Sequence, residues 1–240
     1  GGSDTVTIDT LNPTATVELD ASSLSDSNNS TALTITFSEA PSGFDAGADL
    51  TVTGGAIGTG SFDGSGLIWT TVYTADDGIT GAGSVLLAAA SYTDAAGNTG
   101  SGDSDSLTID TLNPTATSIV RANADYTNAA TVDFVVTFSE DVTGVSTDGS
   151  DFGLITSVTG ASIISVSGAG SDYTVTVSTG STGGTLGLSL SATPTIQDLI
   201  GNDLTDLTIS GGSESYAIAS TDVLLDGGNV TITDIRDATS

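Results

Sequence analysis

Residues 104–117 read SDSLTIDTLNPTAT, and residues 3–16 read SDTVTIDTLNPTAT. A stretch this similar, met twice, marks an internal repeat, and the repeat decides the fold. Working outward, Phe37-Ser38-Glu39 returns as Phe138-Ser139-Glu140. Asp94 to Asn98 (DAAGN) returns as Asp198 to Asn202 (DLIGN), after a small insertion in the second copy. Gly212 to Ile218 (GSESYAI) is a third, weaker echo of Asp103 to Ile109 (DSDSLTI). Three echoes of one joint bracket two domains of about 100 residues each, the usual size of a β-sandwich. We place them at 11–110 and 111–219. Residues 1–10 then read as the end of a preceding repeat or an added overlap, and 220–240 as the start of a following module. The chain therefore reads as a slice of a longer tandem array.

The apolar residues alternate. Leu33, Ile35 and Phe37 interleave with Thr34 and Thr36; Val132, Phe134, Val136 and Phe138 with Asp133, Val135 and Thr137; Tyr173, Val175 and Val177 with Thr174 and Thr176. Period two means half-buried strands, and no window carries a sustained helical stripe. High net charge is a disorder signature when apolar content is low. Here Leu, Val, Ile and Phe total 58 of 240 residues, just above the roughly 20% below which disorder is expected, and their patterning argues for folding. In the first copy strands are predicted near 14–19, 31–37, 49–55, 59–63, 67–74, 85–92 and 104–109. In the second they fall near 115–120, 131–138, 152–158, 162–167, 172–178, 185–191 and 206–210 or 214–218. Seven short strands with Gly, Asp, Asn and Ser in the gaps are an immunoglobulin-like pattern without its disulfide. The expected fold is all-β: two tandem immunoglobulin-like β-sandwich domains in an elongated array.

Charge narrows the function. Lys+Arg number 2, Asp+Glu 30, and His and Cys are absent, for a formal net charge of -28. Two cations, Arg121 and Arg236, cannot track a phosphate backbone, so no nucleic-acid partner is expected. An anionic leaflet would repel the chain, and no run of 18 apolar residues is present to insert in a membrane. No signal-peptide pattern opens it. Lack of Lys, His and Cys removes Schiff-base, Ser-His-Asp, Cys-His and ordinary zinc chemistry. What remains is carboxylate, hydroxyl and carbonyl oxygen, the ligands of hard cations such as calcium.

Topology concentrates those oxygens. In such a sandwich the loop after the second main strand, the loop before the last strand and the incoming linker share one pole. In the first copy these segments carry Glu39, Asp94 with Asn98, and Asp9; in the second, Glu140, Asp198 with Asn202, and Asp110. Like charges gathered there repel unless a cation lies between them, and with no Lys or Arg at hand a divalent ion fits. Each piece alone has an ordinary reading: D-x-x-G-N as a turn, Glu39 and Glu140 as exposed loop residues, Asp9 and Asp110 as Asx turns before Leu-Asn-Pro. Their coincidence in both copies points to Ca2+. Local calcium signatures are missing: Asp26-Ser27-Asn28-Asn29 lacks the Gly and closing Glu of an EF-hand, and Gly54-Gly55 does not continue as a nonapeptide calcium repeat.

With those residues in view, FSEAPSGFDAGADLTVTGG (37–55) and YTDAAGNTGSGDSDSLTIDTLNPTAT (92–117) resemble the bacterial immunoglobulin-like repeats of giant biofilm-associated and RTX-type surface adhesins. TFSEDVTGVSTDGSDFGL (137–154), IQDLIGN (196–202) and SYAI (215–218) look like a divergent variant of the same group. The resemblance covers about 10–218 and implies a stiff monomeric rod of sandwiches. It further implies export by a type I-like route to the extracellular bacterial cell surface and calcium at the joints, on Asp9, Glu39, Asp94, Asn98, Asp110, Glu140, Asp198 and Asn202. The third joint departs: Ala219 stands where Asp9 and Asp110 stood, and Leu-Asn-Pro is gone.

Other acidic groups, Asp76-Asp77, Asp103 with Asp105, and Asp20 with Asp26, fall in loops or strand ends. Asp76-Asp77 and the 20–26 loop read as solvated turns or as extra ligands at the opposite pole. Trp69 reads as a core or sheet-face residue, the alternative being a sugar-stacking platform, and Arg121 as a partner for a nearby Asp. The functional expectation is a structural spacer of a secreted adhesin, supporting cell adhesion or biofilm formation. Its partners are the neighbouring repeats, and it is not an enzyme. The alternatives are a carbohydrate- or protein-binding module, and a subunit of a surface lattice or sheath.

Overall fold

Threonine and valine dominate the strands because β-branched side chains suit a pleated surface with one face buried. In this computed structural model residues 8–220, 223–226 and 229–232 are described, the last eight as backbone. The readings of residues 1–10 as the end of a preceding repeat or an added overlap and of 220–240 as the start of a following module, with Arg236, thus fall largely outside the described residues. The chain divides into two compact units between Leu112 and Asn113.

The first unit runs β1 (Ala15–Leu19), β2 (Ser23–Ser25), β3 (Ser30–Phe37), a single helical turn α1 (Ala46–Asp49), β4 (Leu50–Thr53), β5 (Gly55–Ile57), β6 (Ser61–Phe62), β7 (Ile68–Ala75), β8 (Thr80–Leu87) and β9 (Asp103–Asp110). One sheet has the order β1-β3-β7-β5, with β6 also on β7; the other is β2-β9-β8-β4. Strand pairs are antiparallel except β2 with β9, which run parallel. Alternate residues of β1 and β3 are buried, as the sequence period requires. Inside lie Leu33, Ile35, Phe37, Tyr73, Val85, Leu87, Tyr92, Leu107 and Ile109. Edge-on aromatic contacts join Phe37 to Tyr92 and Phe44 to Trp69, and Trp69, at 5% exposure, is a core residue.

Two departures from expectation have local causes. The strand expected over 49–55 is two strands in opposite sheets, because Gly54, at φ 70°, lets the chain step from one sheet to the other. The strand expected over 85–92 lies at Thr80–Leu87 instead. Beyond it the chain turns: Ala90 has φ 61°, and the Ser91 hydroxyl donates to the Ala88 carbonyl.

The second unit runs β10 (Ala116–Arg121), β11 (Tyr126–Thr127), β12 (Thr131–Phe138), β13 (Val142–Thr143), β14 (Phe152–Thr156), β15 (Ser162–Ala169), β16 (Asp172–Ser178), β17 (Gly184–Leu190), β18 (Gln197–Asp198) and β19 (Ser215–Ile218). Its four-stranded sheets are β10-β12-β16-β15 and β11-β19-β17-β14, with β13 paired to β18. A further hairpin pairs β20 (Val223–Asp226) with β21 (Asn229–Ile232). The core is more aliphatic than the first unit's, built on Val136, Val175, Val177, Leu186 and Leu188. Phe134 meets Tyr216 edge-on, and the Tyr216 hydroxyl donates to the Asp133 carbonyl. Both units are thus immunoglobulin-like sandwiches. Among the described residues no helix is long and apolar enough to cross a membrane.

Candidate metal centre

In the first unit three segments distant in sequence are stitched together at one end. The Thr14 amide donates to the Ser38 hydroxyl at 2.9 Å, and the Ser38 amide returns a bond to the Thr14 carbonyl at 2.8 Å. That reciprocal pair fixes the loop after β3 against the linker before β1. Ser42 and Thr93 exchange backbone hydrogen bonds, tying the same loop to the segment before β9. The Ser101 amide donates to the Pro13 carbonyl, closing the ring of contacts.

The result brings Asp9, Glu39 and Asp94 together, with one carboxylate oxygen from each lying within 4.8 Å of the others. Asp94 is 2% exposed. Its Oδ1 accepts from the Asn98 amide at 2.8 Å, and its Oδ2 from Asn98 Nδ2 at 2.7 Å. Asn98 Nδ2 also donates to the Asp9 carbonyl at 3.2 Å. Asn98 therefore orients the two aspartates it touches. Gly97, at φ 91°, supplies the left-handed turn that folds the D-x-x-G-N loop back on its own aspartate. Asp9 Oδ1 meanwhile accepts from the Leu11 amide at 3.0 Å.

The electrostatics are one-sided. Desolvation, then the charges of Asp94 and Asp9, hold the Glu39 carboxyl above its ordinary pKa. For Asp94, desolvation pushes upward, but hydrogen bonds from the Asn98 side chain and from the Asn98, Ala96 and Gly97 backbone outweigh it and hold the carboxyl low. One member of the group is thus kept ionised while its neighbour is made reluctant to ionise. Arg121, the described cation, belongs to the second unit, where it meets Asp125 at 3.8 Å and Glu214 at 3.3 Å. An all-oxygen, net-anionic donor set with its carboxylates pre-oriented suits a hard divalent ion.

Asp110 also belongs to the first unit, at the end of β9, where its Oδ1 accepts from the Thr80 hydroxyl at 2.9 Å. The other repeat-related residues are in the second unit. Asp198 and Asn202 are 1% and 0% exposed. Asp198 Oδ1 accepts from the Ile200, Gly201 and Asn202 amides at 2.7–2.9 Å, and Oδ2 from Asn202 Nδ2 at 2.7 Å. Half-buried Glu140 follows Ser139, which exchanges hydrogen bonds with Thr115 as Ser38 does with Thr14. Ala219 at the third joint has no carboxylate; its amide donates to the Thr127 carbonyl.

Sequence reasoning passed over the serines. The Ser of each Phe-Ser-Glu makes the linker-to-loop latch, and its repetition was the available signal. It also passed over Asp151, a carboxylate 1% exposed that accepts from the Ser146 and Thr195 amides, both at 2.6 Å. Nor are Asp103 and Asp105 ordinary solvated strand-end residues, since they accept from the Val17 and Leu19 amides.

No curated protein matches the chain. Among solved structures it is similar to the adhesin FdeC of Escherichia coli at 12% identity and a TM-score of 0.37, over 89% of this chain and 65% of that one. Invasin, described as a bacterial integrin-binding protein, is similar at 13% identity and a TM-score of 0.38, over 92% of this chain and 43% of that one. The D00-D0 portion of intimin is similar at 11% identity and a TM-score of 0.33, over 86% of this chain and all of that one. The chain therefore spans less than two thirds of FdeC and of invasin. Over residues 9–111, which hold nearly all of the first sandwich, it matches the family model of the bacterial Ig-like domain.

Proposed function

We propose that this chain is a pair of spacer units from a secreted bacterial surface adhesin, supporting cell adhesion or biofilm formation, and that calcium stiffens its joints. The observation that carries this reading is the Asp9–Glu39–Asp94 group. Three carboxylates converge within 4.8 Å with no cationic side chain of the described residues among them, and one belongs to the linker that enters the domain. The same residue types recur in the sequence at Asp110, Glu140, Asp198 and Asn202. The match of residues 9–111 to bacterial Ig-like domains supports an extracellular, non-catalytic role.

In the first unit Asp9, Glu39 and Asp94 would hold the ion, and Asn98 would orient Asp9 and Asp94. When bound, calcium would supply the positive charge that lets all three carboxylates ionise together. Everything else is done by the chain. The Ser38–Thr14 latch sets the linker, Gly97 turns the loop, and the buried Asp94 anchors the group to the sandwich. The test is thermal unfolding and calcium titration calorimetry of the 240-residue protein. A higher midpoint in calcium than in chelator, with heat of binding that Asp94→Ala reduces, is the expected result. An identical midpoint in both, with no binding heat, would refute the calcium role.

A further inference from the structure

Strand β1 hydrogen-bonds to β3 along one edge only. Its other edge presents the amides of Ala15, Val17 and Leu19, and these go to side chains rather than to a strand. Ala15 donates to Ser101 Oγ at 3.3 Å, Val17 to Asp103 Oδ2 at 2.8 Å, and Leu19 to Asp105 Oδ2 at 2.8 Å. The next step, from the Thr108 amide to the Ser22 carbonyl at 3.0 Å, is backbone to backbone. Strand β2 then pairs with β9 in parallel, Ser23 opposite Thr108 and Ser25 opposite Asp110.

All these links run in the same direction, and the side-chain rungs and the Ser22–Thr108 link share a separation of 86 residues. They form one parallel seam between the first and last strands, made by side chains in its first half and by main chain in its second. Because β1 and β9 lie in different sheets, the carboxylates also close the open side of the sandwich. The second unit carries a partial version: Ile119 exchanges main-chain bonds with Gly212 and Glu214, the Arg121 amide donates to Glu214 Oε2 at 2.9 Å as a single side-chain rung, and β11 pairs in parallel with β19.

Geometry gives this seam a mechanical meaning. Tension enters a unit ahead of its first strand and leaves after its last. Where those strands run parallel, the pull is along them, so the links are sheared together rather than opened one at a time. We propose that this seam is the tension-bearing clamp of the first unit, with Asp103 and Asp105 as its carboxylate rungs and Glu214 as the corresponding rung of the second. The proposal deepens the spacer reading, and rests on it for the source of the tension. Ionised acceptors suit the task because charge-assisted bonds to backbone amides are about twice as strong as neutral ones.

The test is single-molecule force spectroscopy of the full chain in chelator, so that calcium plays no part and either idea can fail alone. Pulled from its ends, Asp103→Ala/Asp105→Ala should unfold one of its two units faster at fixed force, by roughly tenfold per rung. Glu18→Ala, on the solvent face of β1, should stay within about twofold of wild type. The chain has no cysteine, so Gly64→Cys and Gly81→Cys, where an added Cβ meets nothing within 4 Å, provide a second pair of handles that bypasses the seam. In that geometry the acceleration should largely vanish. An unchanged rate from the ends, or an equal acceleration in both geometries, overturns the proposal. Should the double variant fail to fold, Asp105→Asn, which keeps the shape and removes the charge, is read in the same two geometries.

Discussion

Replacing Glu39 by glutamine should stabilise the protein without calcium and reduce what calcium adds. In chelator, Glu39 is a carboxyl whose folded pKa lies above its unfolded value, first through desolvation and then through Asp94 and Asp9. Such a group costs stability once both states are ionised, so the cost is full above the folded pKa and gone below the unfolded one. Glu39→Gln removes it, and the variant should melt above wild type in chelator at neutral pH. Asp94 has the opposite sign. Its folded pKa is lowered, so its contribution is present above the unfolded pKa and lost as pH falls through the folded one. Wild type in chelator should therefore lose stability as pH rises from the usual glutamate range through Glu39's folded pKa, a step missing in the variant. In calcium wild type gains more. A ligand at 100-fold excess over Kd stabilises by about 2.7 kcal/mol, or roughly 10–20 °C for a domain of about 100 residues. Taking the loss of one of three carboxylates as about a tenfold weaker Kd, the variant at the same calcium gains only about 1.4 kcal/mol. Differential scanning calorimetry of both proteins, each with calcium and with chelator across pH 4–8, reads all four states. A variant that melts below wild type in chelator, or that gains as much from calcium, would refute the charge argument.

Tyr216→Phe removes a buried hydroxyl that donates to the Asp133 carbonyl at 2.7 Å and accepts from the Asn123 amide at 3.1 Å. It should destabilise the second unit by about 1–3 kcal/mol and leave the first transition in calorimetry in place. Asp151→Ala strands two amides that now donate at 2.6 Å, for about 2 kcal/mol or more in denaturant unfolding of the second unit. Because its donors outweigh desolvation and hold the Asp151 carboxyl low, wild type loses that contribution as pH falls through the folded pKa, whereas the variant has none to lose. Gly83→Ala would drive a Cβ into the Tyr73 hydroxyl oxygen and place it 2.7 Å from Ile109 Cδ1. The overpacking should cost the first unit about 1–3 kcal/mol, visible as a lower urea midpoint.

Legibility in the sequence followed the range of the physics. Alternation in Leu33–Phe37 and Val132–Phe138 is local, and it located β3 and β12 because burial of one face repeats every second residue. The repeat carried further: matching Phe-Ser-Glu and D-x-x-G-N segments, placed on a sandwich, put Asp9, Glu39 and Asp94 at one pole, and the structure brings them together. What stayed hidden depended on contacts across the fold. Thr80-Gly81-Ala82-Gly83 looks like a turn, yet it is strand, because Gly83 faces Tyr73, Leu107 and Ile109 and a larger residue would not fit. Asp103 and Asp105 look like surface charges because nothing near them in sequence shows that a bare strand edge lies opposite. The Asn98 amide's role towards Asp9 likewise joins residues 89 apart.

The side-chain rungs along β1 also bear on how repeated sequences avoid one another while folding. Related neighbours in one chain invite exchange of strands, and an open edge is where exchange begins. Here two of the three outward amides of β1, those of Val17 and Leu19, are taken by carboxylates of the unit's own last strand, and the third, that of Ala15, by the Ser101 hydroxyl. An incoming strand would have to displace bonds to ionised acceptors while approaching a surface of like charge. Segregation of repeats is thus written into the side chains of β9, at the same positions that join the two ends of the domain.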